Sequence, residues 1–134
     1  MNPVIHFEMP AVDRARMRKF YEKAFGWKTK QLGNEMGEYV MVTTTDTDEK
    51  GMVTKPGTIN GGFFQRTHDP ISQYPSIVIQ VDDIQASMKK IEEAGGKISG
   101  TVNEIPGVGL YVPIIDTEGN RVSLMQYSQQ SYRK

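Results

Sequence analysis

The amino-acid sequence predicts an α+β domain made of two copies of a β-α-β-β-β module, which form a curved, mostly antiparallel sheet with the helices on its outer face. Three observations predict this fold class. Strand-like alternation opens the chain and returns after its midpoint, each alternating segment is followed by an apolar helical stripe, and glycine ends both stripes. The length of 134 residues suits one domain with a single core.

The first module is predicted over residues 4–66. Its first strand alternates apolar side chains with His6 and Glu8, which project from one side because strand side chains have a period of two. Asp13 is the predicted N-cap of the helix and Gly26 its C-terminal stop. The stripe of this helix consists of Met17, Phe20, Tyr21, Ala24 and Phe25. Further strands are predicted over residues 27–32, 38–44 and 58–65.

A connector over residues 67–75 contains two prolines and no periodicity, and it leads to the second module over residues 76–127. Either Asp82 or Asp83 is expected to cap the helix of this module. Strands are predicted over residues 76–81, 97–103, 109–115 and 121–127. The polar tail, residues 128–134, is expected to fray.

The two modules align with each other along the chain. A shift of 69 residues places Gly26 on Gly95 and Lys28 on Lys97, so both helices end at an equivalent glycine. The apolar strand faces must pack against the helices, which leaves the opposite face of the sheet without helices. A curved face of mixed polar and apolar side chains predicts a cleft for a ligand.

Composition excludes several classes of protein. The chain has no cysteine, and 16 Lys and Arg balance 16 Asp and Glu. Disulfide scaffolds, thiolate metal sites and an electrostatic surface for nucleic acid are therefore not expected. No apolar run approaches the roughly 20 residues that span a bilayer, and the N-terminus does not resemble a secretory signal. We expect a cytoplasmic protein with neither a nucleic-acid nor a membrane partner.

His6 and Glu8 are the predicted catalytic pair. Glu8 could accept a proton and His6 could donate one, because both side chains lie on the same strand face. A nearby carboxylate favours the protonated imidazole, so the pair is expected to titrate near neutrality. The alternative is a polar pair that only keeps this face solvated.

Five other residues are predicted to contact a ligand in the cleft. They are Phe63, Ser76, Gln80, Ser123 and Tyr127. Phe63 would supply an aromatic wall, and the four polar side chains would fix the orientation of the ligand. The Gly61–Gly62 pair before Phe63 indicates either the close approach of a ligand or a bend in the strand.

Four segments together resemble the vicinal oxygen chelate superfamily, which includes glyoxalase I, bleomycin-resistance proteins, fosfomycin-resistance enzymes and extradiol dioxygenases. They are HFE at residues 6–8, FYEKAFGW at 20–27, EIPGVG at 104–109 and DTEGNR at 116–121. The third is similar to a bacterial subgroup related to lactoylglutathione lyase. The resemblance extends over residues 4–127 and implies the same duplicated fold and a homodimer.

The resemblance also locates the positions at which metal-dependent members carry their ligands. The first and last strands of each module supply His or Glu there, and these positions fall on His6, Gly61–Gly62, Ser76 and Ser123. Only His6 is a usual ligand, since a serine hydroxyl does not replace imidazole or carboxylate. The resemblance therefore implies no metal cofactor, and a divalent ion held through His6 is the alternative.

Two functions from different classes fit these observations. The first is a binding protein of the bleomycin-resistance type, which holds a small molecule in the cleft and has a degenerate metal site. The second is a lyase- or isomerase-like enzyme that acts on a small oxygenated metabolite through His6 and Glu8. A subunit-contact module is a third interpretation. The expected partners are a small-molecule ligand and a second copy of the chain.

Overall fold

A computed structural model of the chain describes residues 1–128. Its contacts divide into two compact units. The N-terminal unit is His6–Pro75, and the C-terminal unit combines Met1–Ile5 with the chain from Ser76 onward. The predicted tail beyond Ser128 lies outside the described residues.

The N-terminal unit has the predicted β-α-β-β-β order. Its elements are β1 (Val4–Ala11, whose first two residues belong to the other unit), α1 (Arg14–Phe25), β2 (Lys28–Gln31), β3 (Val40–Thr43) and β4 (Asn60–Gln65). Strand β1 pairs with β4 in parallel, whereas β3 pairs with β4 and β2 with β3 in the antiparallel sense. Short 3₁₀ turns occur at Asn34–Met36 and Pro70–Ser72.

The C-terminal unit repeats this pairing scheme with one additional strand. Its elements are β5 (Ser76–Gln80), α2 (Ile84–Glu93), β6 (Lys97–Ile98), β7 (Asn103–Ile105), β8 (Gly109–Ile115) and β9 (Arg121–Tyr127). Strand β5 pairs with β9 in parallel, and β8 pairs with β9, β6 and β7 in the antiparallel sense. The predicted α+β class with duplicated modules is confirmed. The single strand predicted over residues 97–103 is divided in two, because Gly100 adopts a left-handed φ of 93° that interrupts an extended backbone.

The helix ends form as the sequence predicts. The backbone N–H of Arg16 donates to Asp13 Oδ1 over 2.9 Å, and Gly26 takes a left-handed φ of 72° after the last turn of α1. Of the two candidate caps for α2, Asp83 is the one used, since its Oδ1 accepts from Ala86 N–H at 3.1 Å. Side chains and backbone next to the helix ends therefore determine where both helices begin and where α1 ends.

Only part of the predicted stripe on α1 faces the core. Met17 and Tyr21 pack against the buried cluster of the N-terminal unit, whereas Phe20 and Phe25 are 58% and 63% exposed. The apolar stripe of α1 is therefore wider than the surface that covers it. A single helix contacts its sheet along a narrow line, and the two outer phenylalanines instead place their rings 4.9 and 5.8 Å from the ring of Tyr21.

Each unit has its own apolar core on the helix side of its strands. The N-terminal core consists of Ala11, Val40, Val42 and Phe63, and the C-terminal core consists of Val81, Ile84, Val112, Ile114 and Leu124. Because strand side chains alternate, the residues between these core positions point away from the helix. We call this side the face opposite α1 in the N-terminal unit and the face opposite α2 in the C-terminal unit. Neither helix among residues 1–128 has the length and apolar character needed to cross a bilayer.

Candidate functional site

Glu8 is a buried carboxylate on the face opposite α1. Its neighbours Phe7 and Met9 pack toward the helix, and the alternation of β1 therefore directs Glu8 to the other side. The residue is only 6% exposed, and Tyr39 donates its hydroxyl proton to Glu8 Oε2 over 3.0 Å. A carboxylate is seldom buried unless it is hydrogen-bonded, and the Tyr39 hydroxyl supplies such a bond to Glu8.

The two consecutive glycines of β4 provide space for aromatic side chains on opposite faces. A Cβ atom at Gly61 would overlap the carbonyl oxygen of Phe7 on the neighbouring strand, and a Cβ atom at Gly62 would overlap the hydroxyl and ring of Tyr39. Gly62 is paired with Glu8 in the register of β1 and β4. The glycine at position 62 thus allows the tyrosine ring to reach the carboxylate. The groups that approach Gly61 and Gly62 closely are thus protein groups, which was neither of the two predicted alternatives.

His6 lies two residues before Glu8 on the same face and is half-buried. Burial lowers the pKa of His6 below its ordinary value of 6.5, because desolvation disfavours the charged imidazolium. The predicted titration near neutrality is therefore replaced by an imidazole that is neutral at pH 7. A neutral imidazole has one donor and one acceptor nitrogen for a ligand.

The lowered pKa of His6 makes the stability of the fold depend on pH. The unfolded chain binds more protons than the folded one between the lowered pKa and 6.5, so the free energy of unfolding falls as the pH is lowered through this window. We expect His6→Gln to flatten the urea-derived stability profile between pH 7.5 and 5. His68→Gln, at an exposed position of the connector, is the control. Equal slopes in the wild type and His6→Gln would contradict the assignment.

Two of the predicted polar residues of the C-terminal unit join one hydrogen-bonded group on the face opposite α2. Ser123 is fully buried, and its hydroxyl lies 2.7 Å from the hydroxyl of Tyr111. The Arg121 guanidinium donates to the same tyrosine oxygen at 3.3 Å, and the Ser76 hydroxyl donates to the Arg121 carbonyl oxygen at 2.9 Å. These hydroxyls are engaged with protein groups.

Gln80 and Tyr127 lie on the same face of this unit. Gln80 is opposite Met125 in the register of β5 and β9, and Tyr127 is opposite Gly109 in that of β8 and β9. Both side chains are half-buried. The backbone N–H of Gln80 donates to the Pro3 carbonyl oxygen over 2.9 Å, which fixes the end of β5.

Phe63 does not lie on the face opposite α1. Its side chain is 0% exposed and its ring centroid is 5.5 Å from that of Tyr21 on α1, so it belongs to the core. The physical reason is parity: Phe63 pairs with Met9, a helix-side residue of β1. Tyr39 and Tyr111 are site residues that were not predicted from the sequence. The parity of Tyr39 with respect to the buried Val40 and Val42 is a signal for the face on which it lies, although not for its contact with Glu8.

Metal-dependent members of the superfamily that the sequence resembles carry their ligands at positions that correspond to His6, Gly61–Gly62, Ser76 and Ser123. Ser76 and Ser123 use their hydroxyls in the contacts above, and Gly61–Gly62 has no ligating side chain. Residues 1–128 contain no group of three or more His, Cys, Asp or Glu able to hold a metal ion. These residues do not fit a divalent cation, and we derive no chemical step through one.

Two β-α-β-β-β units with the same strand pairing, each packed on its own helix, define the vicinal oxygen chelate class of fold. A sequence profile of the Glyoxalase/Bleomycin resistance protein/Dioxygenase superfamily matches residues 4–124. The chain therefore belongs to that superfamily.

Individual relatives agree with this assignment. A glyoxylase-like domain-containing protein of Didymella fabae is 29% identical over 119 residues, covering 84% of this chain and 84% of that protein. A probable lactoylglutathione lyase of Vibrio parahaemolyticus is 25% identical over 130 residues, covering 96% of this chain and 93% of that protein. The crystal structure of methylmalonyl-CoA epimerase from Mycobacterium tuberculosis superposes with a TM-score of 0.67 over 98% of this chain and 91% of that chain. Its sequence identity is 11%, so this likeness concerns the fold alone.

Proposed function

We propose that the protein binds a small oxygenated molecule on the face opposite α1, at His6 and Glu8. The observation that carries the proposal is the buried Glu8 carboxylate, which is 6% exposed and accepts the Tyr39 hydroxyl at 3.0 Å. Fold stability alone does not favour a buried carboxylate, since desolvation of the charge is unfavourable. A site that must accept a hydrogen bond from a ligand supplies a reason for it.

The chemistry of the pair defines the class of ligand. The Glu8 carboxylate accepts hydrogen bonds, and a neutral His6 both donates and accepts them. A small molecule with a hydroxyl beside a carbonyl group matches this combination. Of the predicted ligand contacts, the half-buried Gln80 and Tyr127 remain proposals for the C-terminal unit, and the homodimer and the cytoplasmic location remain proposals for the protein.

A second candidate is a lyase- or isomerase-like enzyme, and the same pair favours it. Glu8 could remove a proton from a carbon next to a carbonyl group, and the proton could return to that carbon or to its neighbour. The Tyr39 contact would fix the carboxylate oxygen during this transfer. The names of two similar proteins, a probable lactoylglutathione lyase and a methylmalonyl-CoA epimerase, are consistent with this chemistry.

One experiment with two measurements tests both candidates. The protein is incubated in D₂O with S-lactoylglutathione, methylmalonyl-CoA or bleomycin; the shift in Tm reports binding and mass spectrometry reports deuterium in the compound. Glu8→Gln keeps the shape and removes the charge, and we expect it to weaken binding about 10- to 100-fold, since a hydrogen bond to a charged group contributes about 1.5–3 kcal/mol. Glu49→Gln, in an exposed loop, is the matched control.

The outcomes separate the candidates. Binding without deuterium uptake supports the binding protein, and uptake that Glu8→Gln abolishes supports the enzyme. If Glu8→Gln left binding unchanged, the ligand would bind at a site that does not include Glu8. Absence of a Tm shift with all three compounds would reject these ligands.

A further inference from the structure

The segment that carries Tyr39 contains a strained residue. Gly33 to Tyr39 forms a tight loop around the Asn34–Met36 turn, and Glu38 has a φ of 55°. A left-handed backbone is unfavourable for a residue with a Cβ atom. Strain of this kind persists only where the surrounding contacts hold the backbone. Glu38 immediately precedes the tyrosine that reaches Glu8.

Arg14, the first residue of α1, supplies those contacts. Its guanidinium donates to the carbonyl oxygen of Gly37 at 3.1 Å and to that of Glu38 at 3.3 Å. A third bond joins Arg14 Nη2 to Glu38 Oε2 over 3.1 Å. The Arg14 side chain is only 18% exposed, so its planar donors are directed into the loop. One side chain thus binds the strained residue at both its backbone and its carboxylate.

Both the N–H and the carbonyl oxygen of Tyr39 are hydrogen-bonded to nearby backbone groups. Its N–H donates to the Met36 carbonyl oxygen at 3.2 Å, and its own carbonyl oxygen accepts from Leu32 N–H at 2.8 Å. The N–H of Glu38 donates to the Gly33 carbonyl oxygen at 3.1 Å. The direction of the Tyr39 side chain is therefore determined by the loop conformation. Its hydroxyl then meets Glu8 over 3.0 Å.

We propose that Arg14 is a positioning residue for the Glu8 site: it holds Glu38 in the left-handed conformation and so directs the Tyr39 hydroxyl onto the Glu8 carboxylate. The proposal rests on the proposed function of Glu8. It extends that site to a side chain on the helix, which hydrogen-bonds to Gly37 and Glu38. The contrasting interpretation is a surface ion pair between Arg14 and Glu38, which stabilises the loop slightly and has no effect on Tyr39.

The hydroxyl proton of Tyr39 distinguishes these interpretations without any ligand. In the wild type we expect an exchange-protected hydroxyl resonance in the proton NMR spectrum, which Tyr39→Phe removes and thereby assigns. Arg14→Ala is expected to broaden this resonance into the water signal and to accelerate amide exchange of residues 33–40. Arg16→Ala, an exposed arginine on the same helix, is expected to leave both unchanged.

A rescue variant tests the role of the strained backbone. Glycine adopts positive φ readily, so Glu38→Gly in the Arg14→Ala background is expected to restore the Tyr39 resonance although the ion pair is absent. Arg14→Lys, which lacks the planar donors, is expected to give an intermediate result and serves if Arg14→Ala does not fold. A resonance that persists in Arg14→Ala and Arg14→Lys, or its absence from the wild type, would overturn the proposal. Loss without rescue by Glu38→Gly would overturn the role of the left-handed backbone.

Binding provides the second measurement. For whichever of S-lactoylglutathione, methylmalonyl-CoA and bleomycin shifts the Tm of the wild type, we expect Arg14→Ala to weaken affinity about 2- to 30-fold and Arg16→Ala to preserve it. If none of the three binds, the proposed ligands fail while the resonance still decides the role of Arg14. If one binds and the resonance is insensitive to Arg14, only the positioning role fails.

Discussion

Phe63→Ala is expected to lower the free energy of unfolding by about 3–5 kcal/mol, a large part of the stability of a domain this size. The side chain is 0% exposed, and its ring lies 5.5 Å from Tyr21 on α1. Truncation would remove its apolar contacts and leave a cavity between β4 and the helix. Urea unfolding monitored by the fluorescence of Trp27, which stacks on Tyr21, measures the change.

Matched variants separate a core residue from a ligand contact at this position. Phe25→Ala makes the same truncation at a side chain that is 63% exposed, and we expect a loss below about 1.5 kcal/mol. Phe63→Leu retains most of the apolar volume and is expected to cost about 1 kcal/mol. If Phe63→Ala left stability intact and weakened only ligand binding, the residue would belong to the ligand site and the core assignment would fail.

Substitutions in the Gly61–Gly62 pair of β4 are expected to have the second large effect on the free energy of unfolding. Gly61→Ala is expected to lower the free energy of unfolding by about 3 kcal/mol, because the new Cβ atom meets the Phe7 carbonyl oxygen and the paired strands must separate. Gly62→Ala is expected to cost about 1–3 kcal/mol, since the Tyr39 side chain can turn away. Gly33→Ala is the control, as the atoms nearest to its Cβ would be those at the end of the exposed Glu35 side chain.

A double-mutant cycle identifies the group that each glycine accommodates. In the Tyr39→Ala background the penalty of Gly62→Ala should disappear, which corresponds to a coupling energy of about 1–3 kcal/mol. The penalty of Gly61→Ala should remain, since its obstacle is the backbone of β1. Equal penalties for Gly62→Ala in both backgrounds would show that Tyr39 does not occupy the space above this glycine.

Much of the fold could be predicted from local features of the chain. The alternation of apolar residues with His6 and Glu8 indicates which side of β1 meets the helix, and burial of the intervening side chains confirms it. Asp13 and Gly26 delimit α1 because capping depends only on neighbouring backbone groups. Strands β8 and β9 have the predicted ends, at Gly109–Ile115 and Arg121–Tyr127.

Other features depend on contacts between residues that are distant along the chain. Tyr39 is 31 positions from Glu8, and only the pairing of β3, β4 and β1 places its hydroxyl on the carboxylate. The exposure of Phe20 and Phe25 likewise depends on how much of α1 the strands cover. A helical stripe identifies a helix but does not give the width of the surface that covers it.

The sequence by itself determined that the protein is an α+β chain of two related modules, with a histidine and a carboxylate on one strand face and a poor set of metal ligands. These properties follow from periodicity, capping and residue type, which act over a few neighbouring positions. Only the tertiary structure decided that Glu8 is buried and bonded to Tyr39, that burial lowers the pKa of His6, and that Phe63 belongs to the core. Desolvation and close packing depend on all the groups around a side chain, and those groups are brought together only when the strands pair.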